Sequence, residues 1–72
     1  MWGFGVTPSY EETPATLDEI KAACPKEFVA KIKDGDRLFS YVKTNEYDGT
    51  SGFIIRSPGD VQYTHRTGFW MS

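Results

Sequence analysis

The sequence predicts an α+β fold in which one short helix packs on a small antiparallel sheet. The expected order is β-α-β-β-β-β, a four-stranded meander plus a short N-terminal strand. Three observations carry this. Between Glu27 and Arg66, short apolar and aromatic runs alternate with turn signals, as in a series of hairpins. A capping box opens a helical repeat at Thr16. Five Phe, four Tyr and two Trp supply a core that the few Leu and Ile cannot, since each aromatic buries about 150–250 Å². At 72 residues the expectation is a single small α+β domain over residues 1–72. A domain of this size buries only about 60% of its unfolded surface, so each large side chain counts.

The elements follow in order. Residues 1–6 alternate, with Trp2, Phe4 and Val6 on one parity and Gly3 and Gly5 on the other, which reads as an N-terminal strand. Residues 7–14 hold Pro8, Pro14 and a polar run, and read as a loop. In Thr16-Leu17-Asp18-Glu19 the Thr16 hydroxyl can accept from the Glu19 backbone while the Glu19 carboxylate reaches back. Leu17, Ile20 and Ala23 or Cys24 then mark one apolar helix face. Pro25 ends the helix at Cys24.

Residues 28–33 read as the first meander strand, with Phe28, Ala30 and Ile32 on one side. Asp34-Gly35 reads as a two-residue type I′ hairpin. Residues 37–44 form the next strand. The two-residue loop sets Phe39 and Tyr41 on the core side opposite Ala30 and Phe28, and a slip of one residue exchanges them for Leu38 and Val42. Either choice leaves apolar side chains on the outer face. Residues 45–52 read as a long polar loop around Tyr47. Residues 53–56 form a strand, residues 57–60 a turn with Pro58 and Gly59, and residues 61–66 the last strand. Residues 67–72 form a tail with Phe69, Trp70 and Met71.

Cys24 is the only cysteine and His65 the only histidine. An intramolecular disulfide and a four-ligand zinc site are therefore excluded. No acid is spaced to orient His65, the glycines do not match a phosphate-binding loop, and no nucleophile stands beside a base. The expectation is a protein that is not an enzyme, with no catalytic residue, no cofactor and no metal. No run approaches the roughly 18 apolar residues of a membrane span and no secretory leader is recognisable, so the expected compartment is cytoplasmic and no membrane partner is expected.

Net charge is −2. Residues 1–30 hold five acids and two bases, and residues 31–72 hold five acids and six bases. The later acids fall in turns and the bases on strands. An uncovered sheet face, bare sheet edges and aromatic chain ends point to another protein as partner. Chains of this size without catalytic equipment are often adaptors, accessory subunits or phage-type (viral) inhibitors of a host protein. The candidate partner-binding residues are Arg37, Lys43, Tyr47, Ile54, Arg56, Arg66, Phe69 and Trp70. A sheet edge also suits a second copy of the chain, giving a homodimer. The alternative is single-stranded nucleic acid on a basic, aromatic sheet face. Against it stand a pI near 5.2 and the acids that rim that face.

Overall fold

The computed structural model describes residues 9–71. It is an α+β fold: a four-stranded antiparallel sheet in the order β1-β2-β3-β4, with two short helices between β1 and β2. The strands are β1 (Ser9–Pro14), β2 (Arg37–Thr44), β3 (Asp48–Ser57) and β4 (Val61–Met71). The helices are α1 (Leu17–Ala23) and α2 (Lys26–Val29). The strand expected at residues 1–6 lies outside the described residues.

Residues 9–14 are the first strand rather than a loop. Tyr10, Glu12 and Pro14 share one face and pair with Lys43, Tyr41 and Phe39 of β2. Pro14 is tolerated because β1 is an edge strand and the proline closes it. Helix α1 begins as the sequence predicts. The Thr16 hydroxyl accepts from the Glu19 N–H at 3.2 Å, and the Glu19 carboxylate accepts from the Thr16 N–H at 2.8 Å. Ile20 is fully buried, while Leu17 is 40% exposed, so the buried stripe runs through Ile20 and the half-buried Cys24.

Residues 28–33 do not form a strand. Pro25 caps a single helical turn, α2, and the chain then curls through further turns to Ile32. Phe28 and Ile32 lie four apart, and that spacing fits one side of a helical turn as well as one side of a strand. Phe28 keeps its expected place in the core at 5% exposure. The Asp34-Gly35 pair therefore does not close a hairpin. It turns the chain from α2 into β2, with the Asp36 N–H bonded to the Lys33 carbonyl at 3.1 Å. Gly35 has a φ of 88°, whereas Asp34 does not have a positive φ. One positive φ at the third position fits a type II turn and excludes type I′.

Strand β2 has the expected bounds and the opposite facing. Leu38 packs toward Ile20, Phe28 and Ile55 under the helices, so Phe39 and Tyr41 lie on the other side. With no strand at residues 28–33, nothing fixes the register that would turn Phe39 inward. The loop expected at residues 45–52 shrinks to Asn45–Tyr47. The Asn45 side-chain carbonyl accepts from the N–H groups of Tyr47 at 2.7 Å and Asp48 at 2.9 Å, which makes the tight turn that β3 needs.

Strands β3 and β4 are the longest, at 10 and 11 residues. The turn between them holds Pro58, Gly59 and Asp60, with positive φ at both Gly59 and Asp60. The expected aromatic tail is the end of β4. Ser51 pairs with Gly68 and Gly52 with Arg66, which leaves Thr67 as an extra residue in the ladder. That bulge resets the alternation. Without it Phe69 would change faces, and the sequence pattern beyond Arg66 looks irregular for this reason.

The core has two parts. Under the helices, Ile20, Phe28 and Ile55 are buried, with Leu38, Phe53, Val29 and Ile32 against them. On the far face Ile54 is 1% exposed and Tyr41 9%. Burying each such isoleucine contributes about 1.5–3 kcal/mol.

Candidate partner-binding edge

Strand β4 pairs on one side with β3, and on its other side no strand adjoins it among the described residues. Its sequence, VQYTHRTGFWM, has no proline, lysine, aspartate or glutamate. Proline and charged side chains, lysine above all, help exposed edges avoid pairing with other chains unless the partner strand brings the opposite charge. Phe69 is 53% exposed, Trp70 44% and Met71 74%. The other edge strand, β1, is short, acidic and closed by Pro14.

The two faces of β4 differ. On the helix side, Tyr63 carries the Lys31 ammonium 4.8 Å from its ring centre, and His65 tilts against Phe28 at 5.4 Å. His65 is a packing residue in this setting. Trp70 lies over Gly49, where an added Cβ would stand 2.2 Å from the indole. On the far side the Arg66 guanidinium stands 5.4 Å from the Phe69 ring centre.

That far side is laced by a polar chain running from β1 to β4. Arg56 holds both carboxylate oxygens of Glu12, at 3.1 and 3.0 Å. Its Nε–H donates to Gln62 at 3.1 Å, and its guanidinium covers the Phe39 ring at 4.9 Å. The Tyr10 hydroxyl donates to Glu12 at 2.6 Å, and its ring stacks on Tyr41. The bond from Arg56, with that from Tyr10, holds the Glu12 carboxyl below the usual carboxylate range. The same bond to Glu12 pushes the Tyr10 hydroxyl above its ordinary value. Arg56 is thus committed to Glu12, which removes much of the free positive charge from this face.

The eight residues singled out from sequence separate into two groups and one buried residue. Lys43, Tyr47, Arg66, Phe69 and Trp70 gather at the end of the sheet where β4 finishes. Lys43, Thr50 and Phe69 are consecutive register partners across three strands, and Asp48, next to Tyr47, pairs with Met71. Arg37 and Arg56 are cross-strand partners at the opposite end. Ile54 is buried and serves the fold. Sequence reasoning did not single out Tyr63 and Met71 as exposed residues of this edge. The signal for Met71 is the Thr67-Gly68 pair, which marks a bulge inside a continuing strand.

Cys24 is a free, half-buried thiol, and its burial pushes its pKa up, which favours the thiol over the thiolate. Among the described residues no group of three or more His, Cys, Asp or Glu could hold a metal ion. No described helix is long and apolar enough to cross a membrane.

The fold and site together define a small α+β sheet protein with one long edge that no other described strand covers. No protein-family model matches the chain, and no curated protein or solved structure matches it either.

Proposed function

We propose that this chain is a protein-binding module and that its partner adds an extended segment to the β4 edge. The observation that carries the reading is that edge itself. It offers 11 residues of strand with no proline, lysine or acid, broken by one bulge at Thr67 and ending in the exposed Phe69, Trp70 and Met71. Main-chain hydrogen bonds along such an edge supply affinity, and alternate side-chain positions supply specificity. Aromatic residues and arginine are the usual anchors of protein interfaces, and both stand here. A role as adaptor, accessory subunit or inhibitor, acting in the cytoplasm, suits this equipment. The pairing of Arg56 with Glu12 weighs against a phosphate-binding face, because a carboxylate already occupies that guanidinium.

Affinity capture with the wild-type chain and with Phe69→Glu tests the reading. The expected result is a protein retained by wild type and lost with Phe69→Glu, at equal thermal stability of the two baits. Equal capture by both baits overturns it. Tight, salt-sensitive binding of a single-stranded oligonucleotide would replace it with nucleic-acid recognition.

A further inference from the structure

Six rows of side chains cross the whole sheet from β1 to β4, and the two ends of two of these rows are chemically complementary. Glu12 pairs with Tyr41, Tyr41 with Gly52, and Gly52 with Arg66. The row therefore starts with an acid at one edge and finishes with a base at the other. The neighbouring row on the same face runs Tyr10, Lys43, Thr50, Phe69. It starts and finishes with an aromatic ring. The Thr67 bulge is what brings Arg66 and Phe69 to this one face, where they touch.

We infer that the occupant of the β4 edge is the β1 edge of a second copy of this chain, docked head to tail. The inference rests on reading β4 as a docking edge. Successive strands of the sheet are antiparallel, so β1 runs opposite to β4. A copy displaced sideways by four strand spacings, roughly 19 Å, sets its β1 antiparallel beside β4 with its helices on the same face. Continuing the rows then brings Glu12 of one copy beside Arg66 of its neighbour, and Tyr10 beside Phe69. Opposite charges and aromatic pairs facing across strands both stabilise a ladder. Glu12 keeps acceptor capacity for this, because a carboxylate offers about four lone-pair sites and Arg56 and Tyr10 take three. Pro14 falls at the end of the pairing, opposite Thr64, where a missing N–H costs least. Pairing β4 with β4 supplies no acid for Arg66, since β4 contains none. The contact is heterologous: a pair of copies keeps one free β1 edge and one free β4 edge, so assembly proceeds past two chains, to a ring where the rotation closes and to an open filament where it does not.

Sedimentation of the full chain over a range of concentrations tests this. The expected result is a mass that grows with concentration beyond two chains and falls with added salt. Arg66→Glu and Phe69→Glu change exposed side chains, so both should melt as wild type does and sediment as single chains. Arg66→Lys should assemble. Arg66→Glu retains an intact β1 edge, so a minor fraction mixed into wild type should cap assemblies and shorten them. A wild-type chain that stays single at all concentrations overturns the inference, and so does one that stops at two chains. Insensitivity to both substitutions overturns it as well. If wild type stays single while Phe69→Glu still loses a captured foreign protein, the β4 edge binds another partner and only the self-assembly falls. If both measurements fail, the edge is not a docking site.

Discussion

Glu12 ties β1 to the rest of the sheet, and the sign of its pH dependence follows from its lowered pKa. A carboxyl with a lower pKa in the folded chain than in the unfolded one stabilises the fold above its unfolded value, about 4.3 for Glu. That contribution fades as pH falls through the folded value. Glu12→Gln should therefore melt below wild type at pH 7, and the gap should close in acid below the ordinary carboxylate range. Thermal melts of both proteins across that window check it, and a gap independent of pH would mean the pair with Arg56 contributes nothing. Two glycines of β3 act differently at the same scale. A Cβ at Gly52 would stand 2.2 Å from the His65 backbone carbonyl, with the Tyr41 ring close on another side. A Cβ at Gly49 would meet only the Trp70 indole, which can swing away. Gly52→Ala should cost about 1–3 kcal/mol of stability, as overpacking does, and Gly49→Ala less. Urea midpoints rank the two, and equal costs would show that the backbone at Gly52 yields easily. Neither glycine was legible as a strand residue, because glycine next to polar residues carries no strand signal of its own. Its strand state comes from the ring that another strand lays over it.

At the scale of elements, the sequence was most informative where a signal is local. The capping box of α1 needs only Thr16 and Glu19, and both make the expected bonds. Strand β2 shows its bounds by Val, Phe and Tyr between an Asp-Gly turn and an Asn-containing turn. Where the signal is shared between states, the reading failed. The side chains of residues 28–32 fit a strand face or a helical turn, and the chain takes the helical turn that opens after Pro25. Strand β1 has little strand propensity and forms because β2 offers it a ladder. The edge residues Arg66, Phe69 and Trp70 were legible as exposed, but their gathering with Lys43 and Tyr47 depends on β3 and β4 running six and five residues longer than expected. Two substitutions separate these signals. Phe28→Ala should cost roughly 3–5 kcal/mol, the usual cost for a buried aromatic, because Phe28 is buried in either reading. Thr16→Ala should cost about 0.5–2 kcal/mol through loss of the cap alone. Chemical denaturation measures both. A Phe28→Ala protein as stable as wild type would remove Phe28 from the core.

Across the whole molecule the covering is uneven. The principal extents are 47 × 25 × 16 Å, and the radius of gyration is 14.3 Å, against about 11 Å for a compact chain of this length. The helices cover Leu38, Phe53 and Ile55, and the sheet runs on past them to Val42, Phe69 and Trp70, each of which is 43–53% exposed. Opening energies should follow that geometry, because backbone groups with little packing around them open first. Amides of β2 and β3 near Ile54 and Ile55, paired on both sides and buried, should exchange slowest. In β4, residues bonded to β3 should alternate with residues whose N–H points outward, and the outward set should exchange fast in dilute solution. Raising the protein concentration should then slow that outward set and the outer amides of β1 together, since one contact covers both edges. Amide exchange at two concentrations reads this directly. If protection rose on β4 while β1 stayed unchanged, the strand docked on β4 would not be β1 of another copy. If β4 were already evenly protected in dilute solution, its edge would not be bare.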